Sequence, residues 1–121
     1  MPRQRQKTRR LDDIELTLDQ RNALDLIRQR LYGQFQAEAV VLFGSVARGE
    51  ADADSDIDLL VITPQSMTSP QRHEITDMVC EVNLAFETNF STLVVDRYSW
   101  EEGRVSVLPL KTAVLKEGIP L

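Results

Sequence analysis

The sequence predicts an α+β fold, and three observations support that class. Two long stretches repeat apolar residues every three or four positions, as a helix with one buried face does. Three short apolar runs end at glycine, proline or aspartate, as buried strands do. The two kinds of element alternate along 121 residues, a length that suits one domain. We therefore expect a single domain over residues 1–121.

The composition is that of a globular protein, with 42% apolar and 27% charged residues. Cys80 is the single cysteine, which excludes a disulfide framework and a cysteine zinc site within one chain. No run of about 18 apolar residues predicts a transmembrane helix, and no apolar stretch follows the basic N-terminus as it does in a signal peptide. We therefore expect a cytoplasmic protein with no membrane contact.

The charge is unevenly distributed. The net charge is -5, yet the first ten residues carry five positive charges, which leaves -10 for the rest of the chain. An acidic body binds nucleic acid poorly because phosphate contacts need cations, so we expect no nucleic-acid partner. Residues 1–10 are predicted to be a flexible basic tail.

The first helix is predicted from about Leu18 to Tyr32 or Gln36. It follows Thr17-x-x-Gln20, the pattern of a capping box, in which each side chain bonds the backbone of the other residue. Its buried positions recur every three or four residues. They are Leu24, Ile27, Leu31 and Phe35.

A second long helix is predicted to begin at Ser69, with serine as the cap and Pro70 in the first turn. A single helical turn is expected from Tyr98 to Glu102. A short final helix is expected over residues 109–117, with Gly118 at its C-terminal cap. The buried stripe of the second helix is Ile75, Val79, Val82 and Phe86.

The predicted strands are short apolar runs, rich in β-branched residues. After the first strand, Gly44 to Ala47 turns the chain, and Ser45 is expected to cap a short helical turn. Glu50 to Ser55 is predicted to be a polar, acidic loop. The strands are Ala39–Phe43, Ile57–Thr63 and Ser91–Val95.

Asp56 and Asp58 lie at the start of the second predicted strand, on either side of Ile57. Because successive side chains of a strand alternate faces, both carboxylates point to one side. Two ionised carboxylates this close repel each other, and a hard divalent cation relieves the repulsion. Mg²⁺ typically takes one or two carboxylates and completes its shell with water and phosphate oxygens. We therefore predict that Asp56 and Asp58 hold Mg²⁺ or Mn²⁺ bound to a nucleoside triphosphate.

Gly44, Ser45 and Arg48 supply the groups that a phosphate needs. Glycine allows a phosphate to approach the backbone closely, and the hydroxyl of Ser45 and nearby N–H groups can donate to its oxygens. Arg48 adds a charge-assisted contact, and Gly49 permits an unusual backbone conformation. We therefore predict that this segment binds the triphosphate opposite the carboxylates.

Two other phosphate or metal motifs do not fit the same stretch. A P-loop needs Lys and Ser or Thr after its second glycine, where this chain has Glu50 and Ala51. A calcium-binding EF-hand loop that starts at Asp52 or Asp54 needs a glycine six positions into the loop, where Ile57 or Leu59 stands. The nucleotide site is the interpretation that remains.

The central motif reads Gly44-Ser45-x-Ala47-Arg48-Gly49-x-Ala51-x3-Ser55-Asp56-Ile57-Asp58-Leu59. It resembles the signature of the DNA polymerase β-type nucleotidyltransferase superfamily, and most of all its minimal nucleotidyltransferase (MNT) branch. The resemblance spans only residues 42–61, but its spacing is specific. It implies the nucleotidyltransferase fold, with a small mixed β-sheet, helices packed on one face and the site open on the other.

The resemblance also implies a chemistry and a partner. It assigns triphosphate binding to Gly44 and Ser45 and the catalytic metal to Asp56 and Asp58. Members of the MNT branch are often paired with a helical HEPN protein as antitoxin and toxin, and some transfer AMP from ATP to a tyrosine of that partner. We therefore expect ATP or another nucleoside triphosphate as substrate and a HEPN-like protein as partner, or else a homo-oligomer.

One part of the family pattern is missing from the third strand. The superfamily usually places a third carboxylate on a later strand, and the middle of Ser91–Val95 has no acidic residue. Asp96 follows that strand, so it is either the third carboxylate or a strand-end turn residue. Two main hypotheses follow: a metal-dependent nucleotidyltransferase, or a weakly active or inactive module that acts by masking a partner. A small-molecule nucleotidyltransferase is less favoured, because such enzymes usually carry an additional helical domain.

Overall fold

The computed structural model of the protein describes residues 10–50 and 55–121. Most of the predicted basic tail therefore lies outside the described residues, as do Asp52 and Asp54 of the predicted acidic loop. Within the described ranges, no helix has the length and apolar character needed to cross a bilayer.

Four strands form one mixed sheet in the order β3-β2-β1-β4. β1 is antiparallel to both β2 and β4, whereas β2 and β3 are parallel. The sequence did not predict β4, because a two-residue strand is too short to show any period. The strands are β1 (Ala39–Phe43), β2 (Ile57–Thr63), β3 (Phe90–Asp96) and β4 (Ile119–Pro120).

Within the part of the chain that the structure describes, two long helices and three short ones accompany the sheet, close to their predicted positions. Two 3₁₀ turns, Leu11–Asp13 and Arg104–Val107, were not predicted. The helices are α1 (Leu18–Gly33), α2 (Ser45–Arg48), α3 (Ser69–Phe86), α4 (Arg97–Glu101) and α5 (Pro109–Glu117).

Capping boxes begin both long helices. The box predicted at Thr17 is confirmed, since its Oγ1 accepts the N–H of Gln20 at 3.1 Å and Gln20 accepts the N–H of Thr17 at 2.9 Å. The predicted cap of α3 is wrong by one residue. Thr68, not Ser69, is the cap, and it exchanges the same pair of bonds with Gln71.

Both faces of the sheet are covered by helices. On one face, α1 and α3 pack over Ile57, Leu59 and Val61. On the other, Leu60 and Ile62 form a smaller cluster with residues of α4 and α5. The α+β fold with a mixed sheet is confirmed, and one detail differs, since helices lie on both faces. The reason is the composition of β2, whose consecutive apolar residues need burial on both sides.

Candidate active site

The predicted phosphate-binding turn connects β1 to a single turn of helix. Gly44 has φ +84° and ψ −161°, and Gly49 has φ +75° and ψ 20°, conformations that favour glycine at both ends of α2. Gly44, not Ser45, occupies the cap position, and no side chain caps this helix, so the cap predicted at Ser45 is wrong. The turn closes when the N–H of Glu50 bonds the carbonyl of Ser45 at 2.9 Å.

Asp58 lies against this turn. β1 and β2 pair in a register that places Phe43 opposite Asp58, so the next residue, Gly44, lies beside the carboxylate. A Cβ added to Gly44 would stand 3.4 Å from Cγ of Asp58 and would overlap its Oδ2. The absence of a side chain at Gly44 therefore allows the backbone of the turn to lie directly beside the carboxylate.

Asp56 is exposed immediately before β2, next to the start of the neighbouring strand. The side-chain amide of Asn89 donates to its Oδ1. The carbonyl of Asn89 also accepts the N–H of Ile57 at 2.9 Å, which extends the pairing of β2 and β3 by one residue. In the pairing of β2 with β3, the partner of Asp58 is Ser91.

The charges of the two aspartates interact. Partial burial raises the pKa of Asp58, the charge of Asp56 raises it further, and Arg48 lowers it. A carboxylate that is partly desolvated and repelled by a second one is stabilised by a cation placed between them. The two side chains thus supply the oxygen ligands and the negative charge that suit Mg²⁺ or Mn²⁺.

Arg48 is held by two glutamates. Its Nε donates to Glu50 at 2.9 Å and a terminal guanidinium nitrogen donates to Glu117 of α5 at 3.2 Å, and these bonds raise the pKa of Arg48. The charge of Arg48 lowers the pKa of Asp58, so the guanidinium lies near that carboxylate. A phosphate has to compete with both glutamates for the guanidinium. The link to Glu117 was not predicted, because α5 is 69 residues away in sequence.

Asp96 does not join the aspartate pair. It pairs with Thr63 at the far end of β2, five residues from Asp58, a separation of about 16 Å along the strand. Its side chain instead caps α4, accepting the N–H of Ser99 at 3.0 Å and its hydroxyl at 2.7 Å. The possibility that Asp96 supplies the third carboxylate is therefore wrong.

A signal in the sequence predicts this arrangement of Asp96. A strand–helix–strand unit joins parallel strands, so the end of the second strand lies far from the start of the first. The same argument brings the first residues of β3 to the aspartates. The polar residues there are Asn89, immediately before β3, and Ser91 within it, and both are neutral. Within residues 10–50 and 55–121, no group of three or more Asp, Glu, His or Cys side chains is placed to hold a metal ion.

The structure thus brings together most of the residues predicted for the site. Gly44 contacts Asp58, Asp56 interacts with Asp58 by charge, and Arg48 stands near enough to act on the same carboxylate. Ser45 follows Gly44 as the first residue of α2. Two carboxylates with phosphate and water oxygens make a complete Mg²⁺ shell, so the donor set fits a metal-bound triphosphate.

Sequence comparisons point to one class of domain. A family model described as a nucleotidyltransferase domain matches residues 23–109, a range that contains every predicted site residue. Over 57 residues the chain is 30% identical to MJ0141 of Methanocaldococcus jannaschii, named as a candidate protein adenylyltransferase. That alignment covers 47% of this chain and 58% of the relative, so the chain spans a little over half the length of that protein.

Solved structures share the fold. A candidate minimal nucleotidyltransferase is 27% identical, with a TM-score of 0.54, over 84% of this chain and 94% of its own. A toxin–antitoxin structure with AMP-PNP is 20% identical with a TM-score of 0.54, over 82% and 71%. A complex of the tri-AMPylated Shewanella oneidensis HEPN toxin with an MNT antitoxin is 19% identical with a TM-score of 0.51, over 85% and 71%. At these identities the two complexes support the fold alone.

Proposed function

The chain belongs to the nucleotidyltransferase domain family, and from this premise we propose that it is a metal-dependent nucleotidyltransferase. It transfers a nucleoside monophosphate, in our proposal AMP, from a nucleoside triphosphate to an acceptor hydroxyl. The observation that carries the proposal is the contact of Gly44 with Asp58, because the turn that we expect to bind phosphate lies directly beside this aspartate.

Each residue of the site has a role in this reaction. Gly44 and Ser45 bind the triphosphate through the backbone and the hydroxyl, and Arg48 neutralises part of its charge. Asp56 and Asp58 would hold Mg²⁺ or Mn²⁺, which when bound would supply electrostatic stabilisation to the attacking and leaving oxygens. The acceptor oxygen forms a bond to the α-phosphorus and releases its proton to solvent, the bond between the α-phosphorus and the oxygen that bridges to the β-phosphate breaks, and pyrophosphate leaves. By fixing the triphosphate on both sides, the chain's residues align it for this in-line attack.

We propose that the acceptor is a protein hydroxyl, a tyrosine of a HEPN-like helical partner, with which this chain acts as antitoxin. Two findings support the choice of partner. The fold is shared with chains from toxin–antitoxin structures, one of which contains an AMPylated HEPN toxin. The relative with 30% identity is named for protein adenylylation. A homo-oligomer is the alternative arrangement.

A binding module without catalysis is the second candidate function. Its motivation is the composition of β3 beside the aspartates, where Asn89 and Ser91 are neutral and Asp96 lies at the other end of the strand. A site of this kind still binds a metal-bound nucleotide. In that case the chain acts on its partner by covering it rather than by modifying it.

Transfer of a labelled phosphate separates the two functions. The protein is incubated with ATP labelled at the α-phosphate, with Mg²⁺, and with the product of the gene next to its own as the candidate partner. The label on either protein is then measured. The double variant Asp56→Ala with Asp58→Ala tests the metal site. Asp96→Ala is the matched control, since it also removes an aspartate that ends a strand of the same sheet.

The proposed enzyme labels its partner, the double variant does not, and the control variant labels it as the wild type does. If the wild type transfers no label to any protein but binds the partner, the masking function replaces catalysis. Equal labelling by the double variant would contradict the assignment of Asp56 and Asp58.

A further inference from the structure

Asn89 is a polar residue of the site that the family motif does not contain. Its side-chain amide donates to Oδ1 of Asp56, and its carbonyl accepts the N–H of Ile57 at 2.9 Å. We propose that Asn89 is a positioning residue, which sets the orientation of the Asp56 carboxylate for cation binding. The inference rests on the proposed function and adds one residue to the same site.

The position of Asn89 is itself fixed by α3. Asn83 of that helix accepts the N–H of Phe90 at 2.9 Å and donates to the carbonyl of Phe90 at 3.0 Å. The hydroxyl of Thr88 donates to the same Asn83 side chain at 3.0 Å. The residues on both sides of Asn89 are therefore attached to one asparagine, so Asn89 offers a rigid donor to an otherwise exposed carboxylate.

A hydrogen bond of this kind acts on the metal through its ligand. Asp56 is exposed, and a carboxylate on the surface rotates freely unless a neighbour restrains it. A bond to one of its oxygens limits that rotation and lowers the entropic cost of binding a cation. Partners of metal ligands typically change metal affinity by about 10- to 100-fold when they are removed.

The side chain of Asn89 is neutral, whereas an acidic residue at this position would carry a negative charge next to Asp56. A third carboxylate next to Asp56 would repel it, whereas the amide of Asn89 attracts it. Asn89 therefore suits a site in which Asp56 and Asp58 share one cation with the oxygens of a triphosphate.

Binding of Mn²⁺, measured by electron paramagnetic resonance with and without a non-hydrolysable ATP analogue, tests the inference. The variants are Asn89→Ala and Asn89→Leu, both of which keep the backbone bond to Ile57. Asn22→Ala, at an exposed position on α1, is the matched control. We expect both variants at position 89 to bind Mn²⁺ about tenfold more weakly, with the control unchanged. In the transfer assay, the apparent KM for Mn²⁺ rises and kcat recovers at saturating Mn²⁺.

The outcomes separate this inference from the proposed function. Unchanged Mn²⁺ affinity in both variants, with a folded wild type that binds Mn²⁺, overturns the role of Asn89 and leaves the metal site intact. A wild type that binds no more Mn²⁺ than Asp56→Ala with Asp58→Ala overturns the metal site itself. A loss of thermal stability without a loss of Mn²⁺ affinity assigns Asn89 to the fold alone and also overturns the inference.

Discussion

Gly44 lies against the carboxylate of Asp58, and a methyl group at Gly44 would overlap Oδ2 of that aspartate. The contact joins the end of β1 to the start of β2 through the strand register. Two requirements therefore meet at Gly44, a backbone with φ +84° and space for a neighbouring charged side chain. The strand pairing and the proposed site depend on the same residue.

Replacing Gly44 with alanine tests both requirements. Backbone strain at a positive φ costs about 1–3 kcal/mol in a residue with a Cβ, and the overlap with Asp58 displaces that carboxylate as well. We expect Gly44→Ala to lower the free energy of unfolding, measured with urea, and to abolish binding of Mn²⁺ with an ATP analogue. Gly33→Ala is the control, since a Cβ there meets nothing within 4 Å and alanine favours a helix by about 0.4–1 kcal/mol. Normal nucleotide binding by Gly44→Ala would contradict the site.

Replacing Asp58 with asparagine should stabilise the protein in the absence of metal. Because the pKa of Asp58 is raised in the folded state, the folded protein binds this proton more tightly than the unfolded chain does. The free energy of unfolding of the wild type therefore falls as pH rises from the ordinary aspartate pKa through the raised pKa of Asp58. Above the raised pKa, the full cost of ionising Asp58 in the folded protein is present. Asp58→Asn removes the penalty at pH 7, by less than about 1 kcal/mol because the group is largely solvated.

Thermal melts of Asp58→Asn and of the wild type across pH 3 to 8 show directly which of the two proteins is more stable at each pH. The variant should exceed the wild type at neutral pH and match it in acid. Asp96→Asn is the matched control with the opposite sign, because bonds to Ser99 lower the pKa of Asp96 and stabilise its ionised form. That contribution is present above the ordinary pKa and is lost as pH falls through the lowered one. Destabilisation of Asp58→Asn at pH 7 without metal would contradict the raised pKa of Asp58.

Asp96 should matter for stability and not for catalysis. Its carboxylate caps α4 through the N–H of Ser99 at 3.0 Å, and loss of such a cap costs about 1 kcal/mol. We expect Asp96→Ala to unfold at lower urea concentration and to retain nucleotidyl transfer per folded molecule. Ser99→Ala, which removes only the hydroxyl bond, should have a smaller effect. A loss of transfer in Asp96→Ala that exceeds its loss of folded protein would return Asp96 to the site.

Glu117 should weaken nucleotide binding by occupying Arg48. The guanidinium donates to Glu50 and Glu117, so a triphosphate gains Arg48 only by displacing these partners. Glu117→Gln keeps the shape of the side chain and removes one competing charge, and we expect ATP-analogue affinity to rise about two- to fivefold in calorimetry. Arg48→Ala should lower that affinity.

The pair of Arg97 and Glu38 provides the comparison for Glu117. It is an arginine–glutamate pair of the same kind, with Nε of Arg97 at 2.8 Å from Oε2 of Glu38, and it involves no residue of the proposed site. Glu38→Gln should therefore leave nucleotide affinity unchanged. If Glu117→Gln and Arg48→Ala both bind the analogue as the wild type does, Arg48 is not a phosphate ligand.

The local parts of the protein were predictable from the sequence. The ranges of β1 and β2 were predicted to the residue, since each is an apolar run that stops at glycine or proline. The pattern of Gly44, Asp56 and Asp58 predicted a shared site, because strand alternation places both carboxylates on one side and glycine allows the turn before them. The capping box at Thr17 was also predictable, because its two residues are three positions apart in the sequence.

The order of the elements indicates which strand ends lie together, but only the tertiary structure decided which side chains there bond to the site residues. The parallel pairing of β2 with β3 brings Asn89 to Asp56 and carries Asp96 to the far end of the sheet. The packing of α5 brings Glu117 to Arg48. These contacts join residues 33 and 69 positions apart. They depend on strand register and helix packing, which are set by burial of the whole core, whereas the glycine turn and the aspartate pair depend on backbone geometry within one short segment.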